Sequence, residues 1–466
     1  MRDPFEPDPT TRGSGFVVLA LVVGACASTP APWPPARGPH REHARGPMHD
    51  PDLRRGELPS AQTRTHELAA IRDALDRMYA HRREKEERYH IDEDALFGRG
   101  EDALLAARTW QEYDAAIYGT LAAFHDSHLV YHPPQEAAPA RGYTSFRLGL
   151  TTVLAQGHLL VQTSELPGVA PGDEVIAIDG KAVSAVLADA VAARAVSRPE
   201  AALAAFAKTW TSVLYPKGDA PRRRSIKTRD RAAVEHDIAI EPHEAHGKRE
   251  VVGIEAHGDV AVVSIKSLAG GKARAKAIDE TLEKARAHKG IVIDLRGDRG
   301  GIDQVGYRIV ADLAEGKARL GTAQILAAEE TLARRPSWKK LAVGADGWAT
   351  LELTVDALPA RYPGRIAVLV DAGCVSTCEV VAAALRADVG ATLFGETTGG
   401  SSGAPVEVTL ASHATIAIPT WNLVSAEGKP IEGDGVVPDV AALHTPDALA
   451  AGRDLPLETA LARAAP

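Results

Sequence analysis

Residues 365–385 constrain the fold more than any other stretch. Arg365-Ile-Ala-Val-Leu-Val370 is a short continuous apolar run, the composition of a strand covered on both faces, and Val380-Val-Ala-Ala-Ala-Leu385 is too apolar for a surface helix. A fully buried strand that feeds directly into a buried helix calls for a layered α/β core. Between the two lies Asp371-Ala-Gly-Cys-Val-Ser-Thr-Cys-Glu379, which places Ser376 at the strand-to-helix turn. A hydroxyl there sees the positive end of the helix and its unpaired backbone donors. Serine at a helix start is ordinarily only an N-cap. A nucleophile at Ser376 therefore requires a base and an oxyanion site from elsewhere in the chain.

With 466 residues, 45% of them hydrophobic and 25% charged, the chain is long enough for roughly three domains with sizeable cores. The formal net charge of −9 and the absence of a long basic stripe with interleaved aromatics argue against nucleic acid as a partner. Arg222-Arg-Arg224 with Lys227 reads as a solvated turn. Near the N-terminus only Phe16 to Ala25 is strongly apolar, too short to span a bilayer but suited to a signal h-region. It ends in Val23-Gly-Ala-Cys26, which resembles the lipobox of bacterial lipoproteins. That resemblance implies a signal peptide over 1–25, a lipid anchor at Cys26, and a place in the bacterial cell envelope on the periplasmic side of a membrane. Cys374 and Cys378, the other two cysteines, would then share an oxidising compartment. A disulfide between them is geometrically possible but not demanded.

Residues 26–62, rich in Pro, Arg, His and Gly, read as a tether. Leu68, Ile71, Leu75, Met78 and Tyr79 recur at helical spacing, as do Tyr113, Ile117, Leu121 and Phe124, so 63–135 is expected to be a helical subdomain. Its last helix runs into Phe124-His-Asp-Ser-His-Leu-Val-Tyr-His132, where polar residues interrupt the pattern. Residues 136–247 change to short strands, such as Leu148 to Val153 and His158 to Gln162, followed by Pro171-Gly-Asp-Glu-Val-Ile-Ala-Ile-Asp-Gly-Lys-Ala-Val183 with a tight turn at Asp179-Gly180. This string resembles the carboxyl half of a PDZ domain, which implies peptide capture by strand addition. Residues 186–215 are Ala-rich and helical in pattern. From 248 to 445 strands and helices alternate; within this region Pro336-Ser-Trp-Lys-Lys340 matches no element, and 446–466 reads as a tail.

A serine nucleophile needs a base in hydrogen-bond reach, a group that orients the base, and donors for the oxyanion. Gly300-Gly301, at the end of a buried strand, can present a bare backbone N–H, and Thr377 offers a second. Three segments, Asp294-Leu-Arg-Gly-Asp-Arg-Gly-Gly301, Cys374-Val-Ser-Thr-Cys-Glu379 and Gly395-Glu-Thr-Thr-Gly-Gly400, together resemble the C-terminal processing (tail-specific) peptidase family over about residues 65–445. The resemblance implies an α/β catalytic core of the ClpP and crotonase-like type with a PDZ domain. Many members use a Ser-Lys dyad, yet no lysine lies between Ser376 and Lys429, and the expected position falls in Gly399-Gly-Ser-Ser402. The chain resembles instead the branch of the tricorn core protease and the retinoid-binding interphotoreceptor repeats, which takes a Ser-His pair from the N-terminal part and adds a late glutamate. Ser127-His128 and Glu432 match these. The resemblance thus implies Ser376 as nucleophile, His128 as base, Ser127 and Glu432 as orienting groups, and the N–H groups of Gly300 and Thr377 as the oxyanion hole. It implies protein or peptide substrates, with no metal or organic cofactor.

Other readings stay open at this stage. His125, His128 and His132 lie three and four apart and could ligate a metal from one helical face. Cys374 or Cys378 could be the nucleophile. The fold could bind peptides or apolar ligands without catalysis, as the retinoid-binding relatives imply, or act on acyl-CoA as crotonases do. Glu379 has a structural reason for its place, as a carboxylate in the first turn of a helix.

Overall fold

The computed structural model describes residues 57–134, 146–192, 195–209, 223–241, 243–244 and 250–466. The signal segment, Cys26 and nearly all of the tether lie outside the described residues. Among the described residues no helix is long and apolar enough to cross a membrane.

The core is a six-stranded sheet in the order Val252–His257, Val260–Ile265, Gly290–Asp294, Arg365–Val370, Thr392–Gly395, Val440–Ala441. The first pair is antiparallel and every later pair parallel. Its central strands are the continuous apolar runs, and the reason is two-sided cover. Ile291, Ile293, Val368 and Val370 pack with the helices Gly271–Ala285, Asp303–Leu313 and Thr377–Ala387. Val292, Ala367 and Leu369 face the other way, toward Ala460 and Ala464 of the helix Leu455–Ala464. Residues 446–466 are therefore not a tail: they form two helices, the second of which closes the sheet. Small residues make this close approach possible. A side chain on Gly290 would run into the carbonyl of Ala464.

The four N-terminal helices, Ala61–Met78, Arg82–Tyr89, Glu93–Ala106 and Trp110–Ala122, bury the residues expected from their spacing, with Ile71, Met78, Tyr113 and Ile117 fully inaccessible. They do not make a free-standing unit. Their core continues into Val406, Leu410, Ile416 and Ile418 of a hairpin that belongs, in sequence, to the 248–445 region. The strand Val130–His132 completes this connection, pairing antiparallel with Thr415–Ile418 from Val130 opposite Ala417 to His132 opposite Thr415. The segment that carries Ser127 and His128 is thereby fastened to the core at the residues that follow it.

The middle region is an antiparallel sheet in the order Leu150–Ala155, His158–Ser164, Glu174–Ile178, Arg224–Arg229, Glu235–Ile240. Asp179 and Gly180 both have positive φ and turn the chain into Lys181–Ala182. Among the described residues the Ala-rich stretch forms two helices, Val183–Ala192 and Pro199–Thr209, because Pro199 can open a helix and cannot continue one. Between them Ser197 and Arg198 are left to face the core. Pro336–Lys340, which matched no element, is a single 3₁₀ segment whose Trp338 stacks on Trp421. It lies beside a second three-stranded sheet, Trp348–Asp356, Lys317–Leu326, Trp421–Ser425.

Candidate active site

The strand Arg365–Val370 ends at Asp371, whose Oδ1 accepts the N–H groups of Gly297 at 2.9 Å and Gly373 at 2.8 Å and so shapes the loop beyond it. Five residues later Ser376 adopts φ 59° and ψ −128°, a conformation that costs a non-glycine residue on the order of 1–3 kcal/mol and persists only where the surroundings enforce it. They do so through its N–H, which donates to the Ser401 carbonyl at 2.8 Å and to Glu379 Oε2 at 3.0 Å. The first helical turn closes back on the Ser376 carbonyl, which accepts from Glu379 N–H at 2.9 Å. Ser376 Oγ is directed at His128 Nε2, 3.3 Å away. Cys374 and Cys378, both fully buried, are joined in a disulfide, so neither is a free thiol nucleophile.

The other ring nitrogen of His128 meets a hydroxyl rather than a carboxylate. Nδ1 lies 2.7 Å from Ser401 Oγ. Ser127 Oγ donates to Ser401 Oγ at 2.6 Å and lies 3.0 Å from Ser197 Oγ, which also accepts the Ser127 N–H at 3.1 Å. A chain of hydroxyls thus runs from the middle region to the imidazole. Arg198, the next residue, donates to the Thr398 carbonyl. Burial holds the His128 imidazolium below its ordinary pKa, outweighing the Asp126 and Glu432 carboxylates that would raise it, so the ring is a neutral acceptor at neutral pH.

Glu432 reaches the imidazole through the 401–402 segment. Its Oε2 accepts the Ser402 N–H at 2.8 Å, and its Oε1 pairs with the fully buried Lys85 Nζ at 2.7 Å. A cavity of about 330 Å³ bounded by Arg88, Leu423 and Asp434 also reaches Glu432. Beside this pair Asp126 is inaccessible: its Oδ1 accepts the His128 N–H at 2.8 Å, while its Oδ2 accepts from Tyr79 OH at 3.0 Å and lies 2.7 Å from His81 Nδ1. His81 Nε2 lies 2.8 Å from the Trp421 carbonyl. With acceptors at both nitrogens His81 is an imidazolium: burial would lower its pKa, but Asp126 and Glu432 raise it above the ordinary value. The same pairing reverses the effect of burial on Asp126, whose carboxyl is held well below the usual range by His81 and Lys85.

Gly300 packs directly on Ser376. A Cβ there would lie 2.9 Å from Ser376 Cβ and 2.7 Å from the Val375 carbonyl, and its φ of +74° also favours glycine. Its N–H, expected to point at an oxyanion, instead donates to Asp298 Oδ1 at 2.9 Å. Asp298 is fully inaccessible and its other oxygen has no partner; burial pushes its carboxyl up to about 7. Thr377 lies beside Gly300 as the first residue of the helix, with its Oγ1 donating to Asp303 Oδ1 at 2.6 Å. Its N–H belongs to the first turn, where no intrahelical acceptor exists.

Of the six residues singled out in the sequence, Ser376, His128, Gly300 and Thr377 converge directly, and Ser127 and Glu432 act through Ser401 and Ser402. Glu379 does far more than cap a helix. It is fully buried, with its carboxyl pushed up to about 7 by burial, and it gathers Thr398 Oγ1 and the N–H groups of Ser376, Gly400 at 2.7 Å and Ser401 at 2.9 Å. The metal reading of His125, His128 and His132 fails on geometry: the helix ends at Ala122, His132 lies on a strand, and both His128 nitrogens face serines. Among the described residues His81, Asp126 and Glu432 have ligand atoms within 4.8 Å of one another. That space already holds the Lys85 ammonium and the His81 imidazolium, which supply the positive charge a cation would bring.

Residues 259–442 match the model of peptidase family S41. No curated protein sequence matches the chain significantly. Among solved structures the chain is similar to mature CPAF, with 13% identity and a TM-score of 0.65 over 84% of this chain and 94% of that one. It is also similar to mature CPAF complexed with lactacystin, with 13% identity and a TM-score of 0.64 over 84% and 96%. The photosystem II D1 C-terminal processing protease is 18% identical, with a TM-score of 0.49 over 84% and 94%. At 13% identity the likeness to mature CPAF is one of fold, an α/β core with additional domains, and the match to the peptidase family S41 model is to residues 259–442 of this chain.

Proposed function

We propose that this peptidase is serine-type and cleaves peptide bonds through an acyl-enzyme. The reading rests on one observation, His128 Nε2 at 3.3 Å from Ser376 Oγ with Nδ1 held by a hydroxyl. Ser376 Oγ attacks the scissile carbonyl carbon as His128 takes its proton, and the same proton passes to the departing amine. Water then cleaves the ester with His128 again as base. Thr377 N–H donates to the developing oxyanion, joined by Gly300 N–H once its bond to Asp298 opens. Loss of one such donor in a serine protease costs about 3–4 kcal/mol of transition-state stabilisation. The buried imidazole, neutral at neutral pH, suits the base.

The antiparallel sheet over 150–240, with its Asp179-Gly180 turn, supports a PDZ-like module that presents peptide ends to the core. A disulfide in the nucleophile loop suits an oxidising compartment and so supports the envelope location, with Cys26 as lipid anchor.

The test is hydrolysis of casein and of a peptide with a free C-terminus by the full chain, with Ser376→Ala and His128→Ala beside it. Each substitution is expected to lower kcat roughly 10⁴- to 10⁶-fold. Hydrolysis by either variant at the wild-type rate would overturn the mechanism.

A further inference from the structure

The Cys374–Cys378 bond encloses the nucleophile. The two cysteines are four residues apart with Cα atoms 5.5 Å apart, and Ser376 is the middle residue of the ring they close. Cys374 belongs to the loop that leaves the central strand, and its carbonyl accepts the Gly399 N–H at 2.9 Å. Cys378 lies in the first turn of the helix Thr377–Ala387. The bond therefore ties the end of the strand side to the start of the helix across the residue with φ 59°. The N–H bonds of Ser376 to Ser401 and Glu379 fix one side of that conformation; the covalent bond fixes the chain on both flanks.

We infer that the Cys374–Cys378 disulfide is a positioning element of the nucleophile, which keeps Ser376 Oγ within reach of His128 and makes the oxidised form the competent one. The inference rests on the serine-peptidase reading above and adds a redox requirement to it. Reduction consumes two electrons and two protons from a dithiol such as dithiothreitol, opens the S–S bond to two thiols, and leaves the reagent as its cyclic disulfide. Both sulfurs are fully buried, so in the folded protein the bond is shielded from an attacking thiolate and reduction requires the loop to open. The device is accordingly set when the chain folds and is lost slowly.

The experiment uses the full chain in three forms: oxidised wild type, wild type reduced with dithiothreitol and freed of reagent, and Cys374→Ala/Cys378→Ala. Thiol content is followed by mass, fold by circular dichroism, peptide hydrolysis by kcat and KM, and Ser376 reactivity by its labelling rate with an organophosphonate. The expected result is a fall of roughly 10- to 100-fold in kcat and in labelling rate for the reduced and double-variant forms, the scale on which a displaced reacting group loses rate. KM and circular dichroism stay near wild type, and reoxidation restores the reduced sample. Recovery on reoxidation keeps the test decisive if the double variant fails to fold. Equal rates in oxidised and reduced wild type, with two thiols confirmed, would overturn this inference alone. No labelling or hydrolysis by any form, oxidised included, would overturn it together with the peptidase reading.

Discussion

On one side of His128 stand Asp126, His81, Lys85 and Glu432, almost wholly inaccessible and charged; on the other stand Ser401, Ser127 and Ser197, all neutral. The charged set never touches the His128 nitrogen that faces Ser376. It joins the turn after the first helix to the segment before His128, and the second helix to the segment around Ser402, so its product is the meeting of chain segments far apart in sequence. The neutral set touches Nδ1 itself. A carboxylate in that place would favour the imidazolium, whereas a hydroxyl leaves burial to keep the ring unprotonated. The molecule uses buried charge for assembly and uncharged polarity for contact with the His128 ring.

Breaking the charged set has the larger effect on stability. Lys85→Met leaves the Glu432 carboxylate buried beside an apolar side chain, and removing one partner of such a pair costs about 3–5 kcal/mol. Urea unfolding is expected to show that loss, and Lys85→Met/Glu432→Gln to recover most of it, because no uncompensated charge then remains. An unchanged midpoint for Lys85→Met would show that the pair does not hold these segments together.

The hydroxyl chain answers to a different measurement. Ser401→Ala removes two neutral hydrogen bonds, those with His128 Nδ1 and Ser127 Oγ, each worth about 1 kcal/mol of stability, and it frees the imidazole to rotate. The expected outcome is a fall in kcat of roughly 10- to 100-fold with KM nearly unchanged and a smaller loss of stability than in Lys85→Met. A drop in stability matching that of Lys85→Met would erase the distinction between the two sets.

How much of this is legible in the sequence follows the same division. The buried strand and the serine turn are local patterns that backbone periodicity and turn chemistry make legible, whereas Ser127-His128 stood out only through the family resemblance. Ser401 stood in view inside Gly399-Gly-Ser-Ser402, but it stood out only as a place without lysine; that a hydroxyl there would meet Nδ1 depends on the pairing of Val130–His132 with Thr415–Ile418, a contact across the chain. Lys85 and His81 lie in Ala80-His-Arg-Arg-Glu-Lys-Glu-Glu-Arg88, a charge pattern that suits a solvent-facing helix, and only tertiary contact with Glu432 makes burial of the ammonium tolerable. The closing helix Leu455–Ala464 escapes for a milder reason: its buried face is largely alanine, whose small size lets the helix lie on Gly290 but gives little hydrophobic contrast. Glu379 shows the limit of an adequate local explanation, since the first-turn carboxylate is real and hides three further donors from distant residues.

The pH profile separates the two sets with the smallest effect. With His128 as the proposed base, catalysis would need the neutral imidazole, so kcat/KM is expected to fall on the acid side with an apparent pKa below the ordinary value of about 6.5. Asp126 and Glu432 both favour the imidazolium from a distance, and burial opposes them. Removing the Glu432 charge by Glu432→Gln takes away one raising influence and leaves Lys85 unopposed, and both changes disfavour a proton on His128. The acid limb should therefore move to lower pH, modestly, because no direct bond joins the two groups. Ser401→Ala carries no change of charge and should lower the plateau while leaving the limb in place. A limb that moved upward in Glu432→Gln, or moved in Ser401→Ala as far as in Glu432→Gln, would mean that the charged set does not set the basicity of His128 through its field.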